Sequence, residues 1–148
     1  VMRRPPRRPD ARLLSRDLVG WSVVQGAVAL TLVTTVALAA MRRDMPHEEI
    51  RALVFVSLVA LNVGLVFVNR GFGASLRALL ERSNAALWVG VAITSGVLAI
   101  ILAVPSLRGF FGLGPLHTDD LMAAAAVATV LLIVLQLVKR RWGSRLAA

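Results

Sequence analysis

Four stretches of this chain contain no ionisable side chain: 18–41, 52–69, 83–107 and 121–138, of 24, 18, 25 and 18 residues. At about 1.5 Å rise per residue, even the shorter ones reach roughly 27 Å as helices, close to the ~30 Å hydrocarbon core of a bilayer. Inside lipid the backbone must bond to itself. A long run that does not alternate polar and apolar residues does so as an α-helix rather than as a barrel strand. The expected fold is therefore an all-α membrane protein with four transmembrane helices in two antiparallel hairpins. A soluble alternative fails on surface: 57% of the 148 residues are hydrophobic and the mean hydropathy is +0.76, more apolar matter than so small a domain can bury.

The charged and turn-forming residues divide the chain around these runs. Residues 1–17 form a basic arm, kept extended in its first part by Pro5, Pro6 and Pro9. The membrane domain spans 18–138, and 139–148 form a tail. The connection 42–51 is short and charge-balanced, with Pro46 placed to open the second helix. Arg70-Gly71-Phe72-Gly73 ends that helix. Residues 75–82 read SLRALLER, with Leu76, Leu79 and Leu80 on one side, the pattern of an interfacial amphipathic helix. Ser83 or Asn84 can cap the third helix, which is expected to stop near Pro105. Thr118 can cap the fourth, with Asp119 and Asp120 in its first turn where the dipole favours negative charge. A cleavable leader is not expected, because the first apolar run is too long for a signal h-region.

The net charge of +9 follows from membrane topology. Thirteen of the 17 Lys and Arg fall in the arm, the 70–82 loop and the tail, whereas only Arg42, Arg43, Arg51 and Arg108 fall on the opposite side. Both termini are thus expected in the cytosol of a multi-pass protein. Trp21, Trp88 and Trp142 stand near the cytosolic helix ends, where indoles anchor at the interface. No nucleic-acid partner is expected, since no basic patch interleaves with stacking rings; the bilayer itself is the first partner. The abundance of Arg, Ala, Leu and Val points to a GC-rich bacterial genome, and hence to the cell (plasma) membrane.

No catalytic residue emerges. Without cysteine there is no disulfide, thiolate metal site or thiol nucleophile. His47 and His117 lie in separate loops, and HEE at 47–49 is not a zinc-binding HExxH. His117 with Asp119 and Asp120 could touch a cation, but capping accounts for the aspartates equally well, and no metal site is assigned. Ion pumps and proton relays need ionisable groups at depth, and the four runs have none. Their notable polar groups are Gln25 and Asn62, read either as interhelical hydrogen-bonding groups or as neighbours of an ion site. Small residues form stripes: Ser22, Gly26 and Ala29 on the first helix, Ser57, Ala60 and Gly64 on the second, and Ala92, Gly96, Ala99 and Ala103 on the third. Such faces let helices approach closely, either within this unit or against helices outside it.

MRRPPRRP (2–9) resembles the M-x-RPPR-x-P stretch that follows the sixth transmembrane helix of P2-type cation-transporting ATPases. LLSRDLVGWSVVQG resembles the entry to the family's seventh helix. Phe67-Val68-Asn69-Arg70 resembles the end of its eighth, SLRALLERSNAALW the approach to its ninth, and LRGFFGLGPL with the run ending LVKRR its ninth-to-tenth connection and last helix. Order and spacing are kept over nearly the whole chain. The resemblance implies the C-terminal membrane domain of an ATP-driven cation pump, with helices seven to ten and both ends cytosolic. It also implies that Asn62 falls where some calcium and sodium pumps place a carboxylate or amide near the ion site; the amide argues against a calcium site of that kind. Gly26 falls in a region that packs on the fifth helix.

The chain lacks DKTGT and the nucleotide and actuator domains that carry phosphorylation in the family. No cofactor is expected in it; ATP and Mg²⁺ belong to the parent pump, which is the enzyme. The function expected is a support domain packed on an ion-transport core outside this chain, in the same or a separate polypeptide. Two alternatives stand beside it. One is a stand-alone four-helix carrier acting as an oligomer. The other is an assembly or regulatory subunit of a separately encoded pump.

Overall fold

The computed structural model describes residues 16–70 and 85–146. The PPRRP arm, the amphipathic segment 75–82 and the caps at Ser83 and Asn84 lie outside the described residues, as does the Trp142 side chain. The described residues form five helices and no strand: α1 Arg16–Met41, α2 His47–Arg70, α3 Ala85–Ala103, α4 Pro105–Phe110 and α5 Thr118–Leu146. Three of them contain segments long and apolar enough to cross a membrane, Val19–Met41, His47–Asn69 and Thr118–Val138. The apolar part of α3, Leu87–Ala103, is shorter.

Two boundaries differ from the sequence expectation for local reasons. α2 starts at His47, five residues before its uncharged run, because Pro46 opens it: the Glu49 and Ile50 N–H groups both donate to the Pro46 carbonyl at 3.0 Å. Glu48 and Glu49 then sit in the first turn, where the helix dipole favours them. The run 83–107 is not one helix. Val104 is extended (φ −91°, ψ 113°), and Pro105, lacking an N–H, opens the separate helix α4.

α1 and α4 each close by a Schellman motif. After α1, the Asp44 N–H donates to the Met41 carbonyl (3.1 Å) and the Met45 N–H to Ala40 (3.3 Å), with Asp44 in the left-handed region at φ 53°. After α4, the Gly112 N–H donates to Gly109 (3.0 Å) and the Leu113 N–H to Arg108 (2.9 Å), with Gly112 at φ 61°. The incoming residues, Met45 and Leu113, turn inward and are half-buried and buried.

α1, α2 and α5 form a three-helix bundle, with α2 packed on both others. α1 and α2 are antiparallel. Gln25 bonds to Asn69 near one end, while Val36, Ala40, Ile50 and Leu53 cluster at the other. α2 and α5 are parallel, since Gly114 meets Glu48 before α5 starts and Gly64 faces Leu131 and Ala128 further along. The main core joins Trp21, Leu61, Val68, Leu131 and Leu135. Of the two antiparallel hairpins expected, the contacts show the one formed by α1 and α2. α5 packs lengthwise on α2, whereas α3 packs chiefly on α4 and meets α2 through Trp88, edge-on to Phe67 at 6.1 Å. On α2, Gly64 leaves room for Leu131 and Leu132 of α5 to approach closely.

Candidate functional site

The polar groups of the bundle are amides and hydroxyls. Gln25, 6% exposed, donates from Nε2 to Oδ1 of Asn69 at 2.5 Å, tying α1 to α2. Of the two roles expected of Gln25, interhelical hydrogen-bonding group or ion-site neighbour, this contact concerns the first. Its partner Asn69 is the end residue of an apolar run and part of the Phe67-Val68-Asn69-Arg70 motif, neither of which marks it as a partner for Gln25. Asn62 points out of the bundle and donates from Nδ2 to the Leu58 carbonyl of its own helix at 3.0 Å. Thr31, Thr35 and Thr129 do the same to Ala27, Thr31 and Ala125 at 2.8, 2.8 and 2.9 Å, the usual way for a hydroxyl to be satisfied in lipid. Ser57 is fully buried, and neither its Oγ nor the enclosed Nε2 of Gln136 has a hydrogen-bond partner among the described residues. Gln136 was readable beforehand as the one amide in the 121–138 run.

The small-residue stripes divide by use. Ser57 and Gly64 lie inside: a Cβ on Gly64 would stand 3.4 Å from Leu131 Cδ2 and 3.9 Å from the Ala128 carbonyl oxygen. Ala29 packs on the edge of the main core. Ser22, Gly26, Ala92 and Gly96 face outward, and added Cβ atoms at Gly26 and Gly96 would meet nothing within 4 Å. The tryptophans divide as well. Trp21 is 1% exposed and is a core residue of the bundle, whereas Trp88 is 45% exposed at the start of α3. Position 142 is helical within α5.

At the opposite end, the loop before α5 is locked onto α2. The Gly114 N–H donates to the Glu48 carbonyl at 2.8 Å, and Leu116 packs on the Val36–Leu53 cluster. α5 is capped from within: Asp120 Oδ2 accepts from the His117 N–H at 2.9 Å and lies 3.8 Å from Nδ1 of the same histidine. Asp120, rather than Thr118, makes the cap observed, in the manner of the returning half of a capping box. Among the described residues no group of three His, Cys, Asp or Glu could hold a metal ion.

The class these features define is an all-helical, multi-pass membrane domain, with long uncharged runs and small-residue packing faces. Comparison with known families places it further. The family model described as "Cation transporting ATPase, C-terminus" matches residues 1–141, and the chain belongs to that family. It is the C-terminal membrane part of a cation-transporting ATPase. A search of curated proteins found no match.

Proposed function

We propose that this domain is the supporting wing of the pump: four crossings, both ends cytosolic, that hold the transport helices laterally and supply no charged ion ligand. The carrying observation is the chemistry of the four uncharged runs: amides, hydroxyls and apolar groups alone occupy them, whereas cation sites in membranes are built with ionisable groups. ATP and Mg²⁺ act on other parts of such a pump. Its partners are the bilayer and the remaining pump helices, in the same or a separate chain, and its home is the cell membrane.

Chain direction supports the fourth crossing. α2 and α5 start at the same end of the bundle, so residues 71–117 must return from the far end of α2 to the start of α5. The Phe67–Trp88 contact sets α3 off beside the end of α2, and the Gly114–Glu48 bond delivers the chain beside its start. The 19 residues of α3 cover roughly 28 Å at 1.5 Å each, enough to make the return. The outward faces of α1 (Ser22, Gly26) and α3 (Ala92, Gly96) are the surfaces for the transport helices, and Asn62 faces outward at mid-helix where a partner helix could bond it.

The test is to express residues 1–148 alone in membranes and assay ATP hydrolysis and phosphoenzyme. Neither should appear, whereas the chain should restore activity to a pump truncated after its sixth helix. An ATP-dependent acyl phosphate on the isolated chain would overturn the reading.

A further inference from the structure

α4 is a helix without an interior. None of its residues is buried, yet Leu107 is 37% exposed, Phe110 84% and the following Phe111 49%. At i, i+3 and i+4 these three share one face, with the two rings edge-to-face at 5.4 Å and 89°. Arg108 and Gly109 fall off that face. Six residues are too few to hold a helix in water by backbone bonds alone, so burial of the apolar face must come from outside the bundle.

The depth of α4 follows from its neighbours. Gly114 bonds to Glu48, and a Cβ on Gly112 would meet Arg51 Nη1 at 2.5 Å. The uncharged part of α2 begins at Ala52. The turn after α4 is thus level with the plane where α2 enters the hydrocarbon. Val97, Ile100 and Val104, exposed at 51, 56 and 38%, carry the apolar surface of α3 down to this same level, continuous with Leu107.

We infer that α4 and Phe111 form a lipid-interface anchor: Leu107, Phe110 and Phe111 insert at the headgroup–acyl boundary of the leaflet where α3 ends, while Arg108 meets lipid phosphate. Rings prefer this boundary, and an apolar face backed by a basic residue is the composition of an interfacial helix. The anchor explains why the chain breaks at Val104–Pro105: the break starts a separate short helix at the membrane surface. This inference rests on the proposed crossing by α3.

The test exploits the absence of cysteine. Nitroxides placed on Phe110→Cys, Leu107→Cys, Ile93→Cys and Arg43→Cys variants of the full chain are read in phosphatidylcholine–phosphatidylglycerol nanodiscs. The readout is the ratio of collisions with oxygen to collisions with a water-soluble nickel chelate. Ile93 is 61% exposed midway along α3, Arg43 lies in the exposed α1–α2 turn, and Phe110 is 84% exposed, so its replacement disturbs little beyond its ring contact with Phe111. The expected ratio at 107 and 110 is several-fold above that at 43 and below that at 93. A ratio at 107 and 110 equal to that at 43 would mean water, and loss of both collisions would mean a protein partner or second copy; either overturns the anchor. If Ile93 reads hydrocarbon while Phe110 reads water, the anchor alone fails. If Ile93 also reads water, the crossing fails with it.

Discussion

A methyl group on Gly114 would stand 2.6 Å from the Glu49 nitrogen and 2.8 Å from the Glu48 carbonyl carbon, main-chain atoms of a helix that cannot turn aside. Gly114→Ala should therefore unlock the loop from α2 and lower stability by about 1–3 kcal/mol, the usual cost of overpacking. Unfolding of the purified chain in mixed micelles measures it. Asp44 presents the opposite case. It holds a left-handed conformation (φ 53°) that carries a cost of about 1–2 kcal/mol for a residue with a Cβ. Asp44→Gly keeps both bonds of the Schellman motif and should raise stability by about 1 kcal/mol in the same assay. Gln25→Leu removes the donor to Asn69 and should cost about 0.6–2 kcal/mol, the range for interhelical polar contacts in membranes. Combining it with Asn69→Leu should cost less than the two changes summed, because each single change strands the other amide.

Among the elements, the small-residue stripes separate internal packing from outward packing. Gly64 lies against Leu131, so Gly64→Leu should pry α5 from α2 and destabilise the isolated chain. Gly26→Leu and Gly96→Leu enter open space and should leave the isolated chain as stable as before. In the assembled pump the order changes: both should lower ATP-driven transport if these faces seat the transport helices. Full activity with leucine at both positions would remove the supporting role proposed for them. Stripe composition was legible in the residues; which stripe faces inward was not. Ser57–Gly64 and Ala92–Gly96 have the same chemistry, and only the partner's position tells them apart.

For the whole molecule, the distribution of Lys and Arg and the parallel start of α2 and α5 are the grounds of the proposed four-span topology. Cysteine introduced by Arg43→Cys should react with a membrane-impermeant maleimide in intact cells. Cysteine from Ala148→Cys should react only after permeabilisation. Reaction of both from outside would mean an odd number of crossings and would withdraw the four-span proposal.

Much of this protein is decided by composition along the chain. Runs free of charge must leave water, their length suits a bilayer, and Lys and Arg at their mouths set the orientation expected of them. Order and motifs sufficed for the cation-transporting ATPase resemblance, and the family match over residues 1–141 agrees with it. Hydropathy is silent on which helix seeks which, because lipid tails are as apolar as leucine and give no reason to prefer a protein neighbour. That choice is made by shape. The hollow at Gly64, the seat of Gly114 on the first turn of α2 and the break at Val104 set α5 beside α2 and leave α3 at the edge. Burial of Trp21, outward placement of Asn62 and pairing of Gln25 with Asn69 follow from that packing, since each depends on contacts between residues far apart in the chain.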